Sequence, residues 1–245
     1  MHPGLMSLLD IIRNQQMTCN LSSNGTNVDI LHRLSARYEK EFLRIGISVN
    51  DAALSSALHD YIVRHRPALK SVLTKTASLP SGCARYIGLP GIDYFILYMD
   101  AVDQQDLANS LPFDRFYAEL GRLKQMYQSL TGVFCSGFIS DRTNGYTWSS
   151  VRCPAGTAKL SVLADGSVYP CYLFFPYPEF SLGNILRDDF QKIWQNPILD
   201  FFRTFPRNTC PNTGCRLFSA CHGGCPAMSY RFSHDLDAPD PRCMR

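Results

Sequence analysis

Seven of the ten cysteines lie in the last 93 residues, and their spacing limits what this chain can fold into. The pattern reads C-x12-G-x4-C from Cys153 through Gly166 to Cys171, followed by a gap of 38 residues. It continues as C-x4-C-x5-C-x3-C over Cys210, Cys215, Cys221 and Cys225, and ends, after 17 intervening residues, at Cys243. Thiolates this close in sequence can surround an inorganic core without straining the backbone. Gly223 and Gly224, inside "CHGGC", remove side chains where the loop has to wrap tightly, and Gly166 does the same at the tip of "ADG".

Several contents compete for such a constellation. A disulfide scaffold suits a short secreted chain. This one has 245 residues, and its start, "MHPGLMSLLDIIRNQQ", reads without the basic region and small-residue cleavage site of a signal peptide. Simple burial does not explain seven cysteines at loop-like spacings. Zinc takes four ligands per tetrahedral structural site, and seven do not divide into fours. Two iron–sulfur clusters take up to eight ligands, so seven leave one iron with a different ligand or an open position. The pattern predicts iron–sulfur clusters.

Upstream, the chain alternates between helical and extended segments. Leu5, Leu8, Leu9 and Ile12 share a helical stripe, "MTCNL" reads as a short strand, and "SSNGTN" as a turn. Val28, Leu31, Leu34 and Tyr38 mark a second helix and "IGISV" a second strand. A helix over Ala52–His65, a third strand in "KSVLTKTAS", a helical turn over Pro80–Gly88 and a fourth strand in "DYFILYMD" follow. "PFDRFYAELGRLKQMYQSL" closes this half as an amphipathic helix. Strands separated by such helices predict a parallel sheet. Four strands alone would leave an unpaired edge and an uncovered face. Beyond Trp148, "AKLSVLADGSVYPC" predicts a hairpin and "RDDFQKIWQNPILDFFRTF" a helix with Asp188 and Asp189 in its first turn.

Region 153–243 resembles a SPASM domain, the auxiliary-cluster module of many radical S-adenosylmethionine (SAM) enzymes. Besides the cysteines, "CPAGTAKLSVLADGSVYPC", "LGNI", "DFQKIW" and "CHGGC" carry the likeness, and Cys210-x4-Cys215 departs from it where two intervening residues are usual. The resemblance implies two [4Fe–4S] clusters, the first on Cys153, Cys171 and Cys225, the second on Cys210, Cys215, Cys221 and Cys243. The segment "PAGTAK", where some relatives carry a fourth ligand for the first cluster, has no thiol. That cluster would keep an open iron or take a distant group. Cys135 in "GVFCSGF" is a candidate, although a lone cysteine there also reads as core packing.

Residues 1–147 resemble a radical SAM barrel without its first two strands, and 148–245 the auxiliary domain. The expected fold is α/β, a partial (β/α) barrel followed by a small cysteine-rich domain with a β-hairpin and helices. "SSNG" and "ISVND" resemble strand ends that face SAM, which implies contacts from Asn24, Ser48 and Asn50, the last standing where an acid is common. The family's C-x3-C-x2-C motif for the SAM-cleaving cluster does not occur, because Cys19, Cys83 and Cys135 are 64 and 52 residues apart. Two readings follow. Either the true start lies upstream and the protein is a whole enzyme acting on a peptide or protein side chain, or the chain is complete and serves electron transfer or a partner. SAM is a cofactor only in the first. An enzyme of this type would draw electrons from a donor such as a ferredoxin or flavodoxin. A net charge of +3 without a basic block does not predict nucleic acid or membrane partners. No run of 18 apolar residues occurs, and a cytoplasmic protein is the expectation.

Overall fold

A computed structural model describes residues 3–50, 54–76, 84–135, 137–139 and 151–243. They fall into two compact units. The first takes residues up to Met99 together with Phe116–Val133, and the second takes Asp100–Arg115 with the chain from Phe134 onward. The expected boundary at 147/148 lies outside the described residues.

The first unit is built on five parallel strands in sequence order: β1 (Cys19–Ser23), β2 (Leu43–Ser48), β3 (Ala68–Leu73), β4 (Tyr94–Tyr98) and β5 (Leu130–Val133). Helices α1 (Leu5–Asn14), α2 (Val28–Arg37) and α3 (Ser56–His65) precede or join the first three strands. Side chains alternate across the sheet. Leu43, Ile45, Ile47, Leu69, Leu73, Tyr94, Ile96 and Tyr98 are buried on one face, while Arg44, Ser48, Lys70, Phe95 and Leu97 stand on the other, less buried face. The buried helical positions are Leu31, Leu34, Leu58, Tyr61 and Ile62, and each such side chain taken from water contributes about 1.5–3 kcal/mol. Ser71 is the polar exception on the buried face. Its hydroxyl meets the Val49 carbonyl at 2.8 Å and the Tyr94 hydroxyl at 2.7 Å.

Local chemistry sets the helix ends. The Asn27 side chain accepts from the Ile30 N–H at 3.2 Å, and the Ser55 hydroxyl from the Leu58 N–H at 3.2 Å. The third helix therefore starts at Ser56 rather than at Ala52, and Ala52 lies outside the described residues. Arg66, at φ 50°, ends it immediately before Pro67. Of the helical turn expected over Pro80–Gly88, only residues from Ala84 onward are described, and the Ile87 N–H there bonds the Ala84 carbonyl at 3.1 Å.

The fifth strand corrects the expectation of a last helix running through Leu130. Helix α5 (Phe113–Met126) stops four residues earlier, and "LTGV" pairs with β4. A Cβ at Gly132 would lie 2.2 Å from a Leu120 methyl, so a larger residue there would require the leucine to shift. That contact seats the strand under the helix.

In the second unit α4 (Gln104–Asn109) is capped by Asp103, whose carboxylate accepts from the Asp106 N–H at 2.8 Å. The expected hairpin is present as β6 (Ser161–Val162) and β7 (Ser167–Tyr169), and β8 (Gly183–Asn184) from "LGNI" adds a third antiparallel strand. The long helix expected over 187–205 is broken. Helix α6 (Phe190–Trp194) is capped by Asp189, Asn196-Pro197 starts a short 3-10 turn, and α7 (Asp200–Arg203) follows. In "YLFFPYPEF", Phe174 and Phe180 are buried and pack with Phe202 and Tyr230 at centroid distances of 4.4–5.6 Å, so this part of the run is core. Helix α8 (Pro226–Ser233) completes that core with Ala227 and Met228.

Candidate metal centre

The nine described cysteines form no disulfide, and seven of them collect in two groups within the second unit. Cys153, Cys171 and Cys225 are buried, and each stands within electrostatic reach of the others. The hairpin delivers Cys171 directly after β7. Cys153 is held by hydrogen bonds from its own and the Arg152 N–H to the Phe202 carbonyl at 3.2 and 3.1 Å. Cys225 caps α8.

Cys210, Cys215, Cys221 and Cys243 line one cavity of about 530 Å³ with Phe113, Arg115, Phe138 and Arg216. Cys221 lies within electrostatic reach of Cys210, and Cys243 of Cys221. "CHGGC" thus serves both groups, with Cys221 at one end and Cys225 at the other. The switch between them is made by Gly223 and Gly224, whose φ values of 89° and 87° are left-handed. A Cβ on Gly224 would also lie 2.5 Å from the Asp240 side chain.

Burial dominates the electrostatics of Cys153, Cys171, Cys221 and Cys243. Burial pushes Cys153 up to about 12, opposed by the Ala155 N–H and reinforced by Cys225 and Cys171. Burial likewise raises Cys171 to about 12 and Cys221 to about 11, with backbone N–H groups of Leu173, Gly223 and Gly224 opposing the rise. Burial lifts Cys243 too, against a hydrogen bond from the Phe113 backbone. Cys225 is raised first by its hydrogen bond to Cys135 and then by burial. Loading a metal must displace these protons. The same N–H groups then face sulfur, where such hydrogen bonds set cluster potentials.

Among the described residues no three His, Cys, Asp or Glu side chains are close enough to hold a single metal ion. Two groups of cysteines, with N–H donors turned toward sulfur and glycine at the crossing, make a donor set that fits iron–sulfur cores.

Behind the loop lies a buried ion pair that the sequence did not signal. Asp240 accepts from the Cys225 N–H at 3.0 Å and from Arg242 Nε at 3.0 Å and Nη2 at 2.7 Å. Both side chains are 1% exposed. Arg242 also reaches Asp100 at 3.4 Å, and Asp100 accepts a short hydrogen bond from the hydroxyl of Tyr172, the neighbour of Cys171. His222, between Cys221 and Gly223, meets the Val151 carbonyl at 2.8 Å through Nδ1 and stacks on Phe205.

The three expected SAM contacts lie at the C-terminal end of the sheet in the first unit. The Asn24 side chain is engaged in the turn, accepting from the Thr26 N–H at 3.2 Å and hydroxyl at 2.9 Å. Asn50 Oδ1 accepts from the Val72 N–H at 3.0 Å, so the residue standing in place of an acid ties β2 to β3. Ser48 lies on the less buried face, in register with Lys70. Sequence reasoning passed over Lys70, although a lysine inside an apolar strand was a visible signal. Its ammonium donates to the Ser22 hydroxyl at 2.7 Å, and burial lowers its pKa from the usual lysine value.

Residues 153–226 match the SPASM family, an iron-sulfur cluster-binding domain. Streptococcus suis SuiB bound to S-adenosylmethionine shares the fold at a TM-score of 0.67 and 15% identity, over 98% of this chain and 62% of that one. The same protein bound to its precursor peptide SuiA gives 0.60 and 16%, over 98% and 62%. Native anSMEcpe with bound AdoMet and Kp18Cys peptide gives 0.63 and 18%, over 99% and 78%. The chain therefore spans about three fifths of the length of SuiB. No curated protein matches it by sequence. No helix among the described residues is long and apolar enough to cross a membrane.

Proposed function

We propose that this chain, whose residues 153–226 match the SPASM domain and whose fold is shared with SuiB, is a radical SAM/SPASM protein that supplies the later barrel strands and both auxiliary clusters of an enzyme that modifies a peptide. The observation that carries this reading is the collection of seven SPASM-patterned cysteines into two groups within one unit. Cys153, Cys171 and Cys225 would hold one [4Fe–4S] cluster, and Cys210, Cys215, Cys221 and Cys243 the other. Bound there, the clusters supply one-electron storage and transfer at potentials set by ligation, hydrogen bonding and burial. A peptide substrate is favoured because the fold is shared with proteins solved with a precursor peptide and with the Kp18Cys peptide. A ferredoxin or flavodoxin is the proposed electron donor.

SAM would lie at the strand ends that carry Asn24, Ser48 and Asn50, with Lys70 as the cation for its carboxylate. Parallel strands present ligand sites at these ends. Lys70→Met is expected to weaken SAM binding about tenfold in equilibrium dialysis, about 1.4 kcal/mol, as loss of one charge-assisted hydrogen bond would. An unchanged affinity would remove Lys70 from the site.

The test of the activity uses the native polypeptide from its source cells. The reduced, cluster-loaded protein is expected to release 5′-deoxyadenosine from SAM. Cluster-loaded protein that releases none would overturn the enzymatic reading in favour of electron transfer for a partner.

A further inference from the structure

Arg152 stands immediately before Cys153, and the N–H groups of both donate to the Phe202 carbonyl, at 3.1 and 3.2 Å. Its side chain is 7% exposed, a depth that arginine reaches only when something holds its charge. The guanidinium carbon lies 4.4 Å from the Phe201 ring centroid and 5.4 Å from that of Phe205. Nη1 reaches the cluster loop, where a Cβ on Gly223 would lie 3.8 Å from it. Gly223 is two residues from Cys221 and two from Cys225. That loop is itself pinned. The Gly137 carbonyl accepts from the His222 N–H at 2.7 Å and from the Gly224 N–H at 3.1 Å, and a Cβ at Gly137 would lie 1.9 Å from the Gly224 carbonyl oxygen. A positive charge is therefore fixed beside Cys153 and the loop that carries Cys225.

Little compensates this charge. Nη2 meets Asp237 at 2.8 Å, but the Asp237 side chain is 53% exposed, and the buried Nε has no hydrogen-bond partner among the described residues. The buried Arg242, by contrast, reaches two acids, Asp240 and Asp100. A buried cation is costly unless negative charge stands near it. Metal-bound thiolates carry that charge.

We infer that Arg152 is the counter-cation of the cluster held by Cys153, Cys171 and Cys225, and that it raises that cluster's affinity for an electron. Arg152 ligates nothing and gives up no proton. Its charge acts through the protein interior, where Coulombic attraction is stronger than in water. One electron taken from an external reductant adds one negative charge to the centre, and the fixed guanidinium favours that state. This inference rests on the iron–sulfur reading above and is tested separately from it.

The full chain is reconstituted anaerobically as wild type, Arg152→Met, Arg152→Lys and Asp237→Asn. Iron is counted, and each sample is titrated with dithionite against redox dyes while EPR spectra are recorded. The signal retained in Cys243→Ala identifies the first cluster. At wild-type iron content, Arg152→Met is expected to lower the equilibrium constant for its one-electron reduction about tenfold, a potential about 59 mV more negative. Arg152→Lys, which keeps the charge, should stay close to wild type. Lost packing alone would not divide the two variants by charge. A fully loaded Arg152→Met whose potential matches wild type would overturn the inference and leave the iron–sulfur reading standing. Should Arg152→Met load no iron, the exposed change Asp237→Asn decides by its sign, since it leaves Arg152 less compensated. A higher potential in Asp237→Asn would then support the inference, and an unchanged or lower one would overturn it. Wild type that takes up no iron would end both the reading and the inference.

Discussion

Replacing Cys243 by alanine is expected to lower the iron bound after anaerobic reconstitution from about eight to about four per chain, with the remaining cluster's spectrum intact. Cys171→Ala should remove the complementary half. The expectation follows from where the thiols lie. Cys243 shares a cavity with Cys210, Cys215 and Cys221, whereas Cys171 belongs to the buried group with Cys153 and Cys225. Both groups draw on one loop, but Gly223 and Gly224 turn the chain between Cys221 and Cys225. Each ligand is therefore expected to serve one centre. Iron counts with EPR and visible spectra on the two variants provide the check. Equal loss of both clusters from either variant would contradict the sorting.

Arg242→Met should destabilise the cluster-loaded protein by about 3–5 kcal/mol, the usual effect of breaking a buried ion pair from one side. The Arg242 and Asp240 side chains are each 1% exposed, and Asp240 also holds the Cys225 N–H. Without the guanidinium, that carboxylate stays in the interior with its charge unpaired. A loss of this size is a large share of the roughly 5–15 kcal/mol that holds a typical domain together. Urea unfolding should show a lower midpoint at an unchanged slope. Arg242→Met combined with Asp240→Leu should recover part of the loss, since removing both charges is cheaper than stranding one. A change below about 1 kcal/mol in the single variant would mean that the pair does not brace the loop.

What the sequence disclosed tracks how local each signal is. The cysteine spacing, the "ADG" hairpin and the paired glycines of "CHGGC" lie within short windows, and all three could be read directly. The parallel order of β1 to β4 followed from helices alternating with apolar strands. Strand β5 stayed hidden because four residues with a central glycine carry little strand propensity, and its place depends on Leu120 packing over Gly132. The break at Asn196-Pro197 was visible, but it was outweighed by the apolar residues on either side. Contacts across long stretches of chain left no trace in any window. The Asp240 bond to the Cys225 N–H, the seat of Gly137 on Gly224 and the tie from Asn50 to Val72 arise only when distant segments meet. For that reason the seven patterned cysteines could be named from the sequence, while the surroundings that position them could not.

The central claim, that these thiols hold iron–sulfur cubes, is tested most directly by iron, acid-labile sulfide and zinc analysis of the anaerobically reconstituted protein. Two [4Fe–4S] centres predict about eight irons and about eight sulfides per chain. Stoichiometric zinc with negligible iron and sulfide would contradict the account.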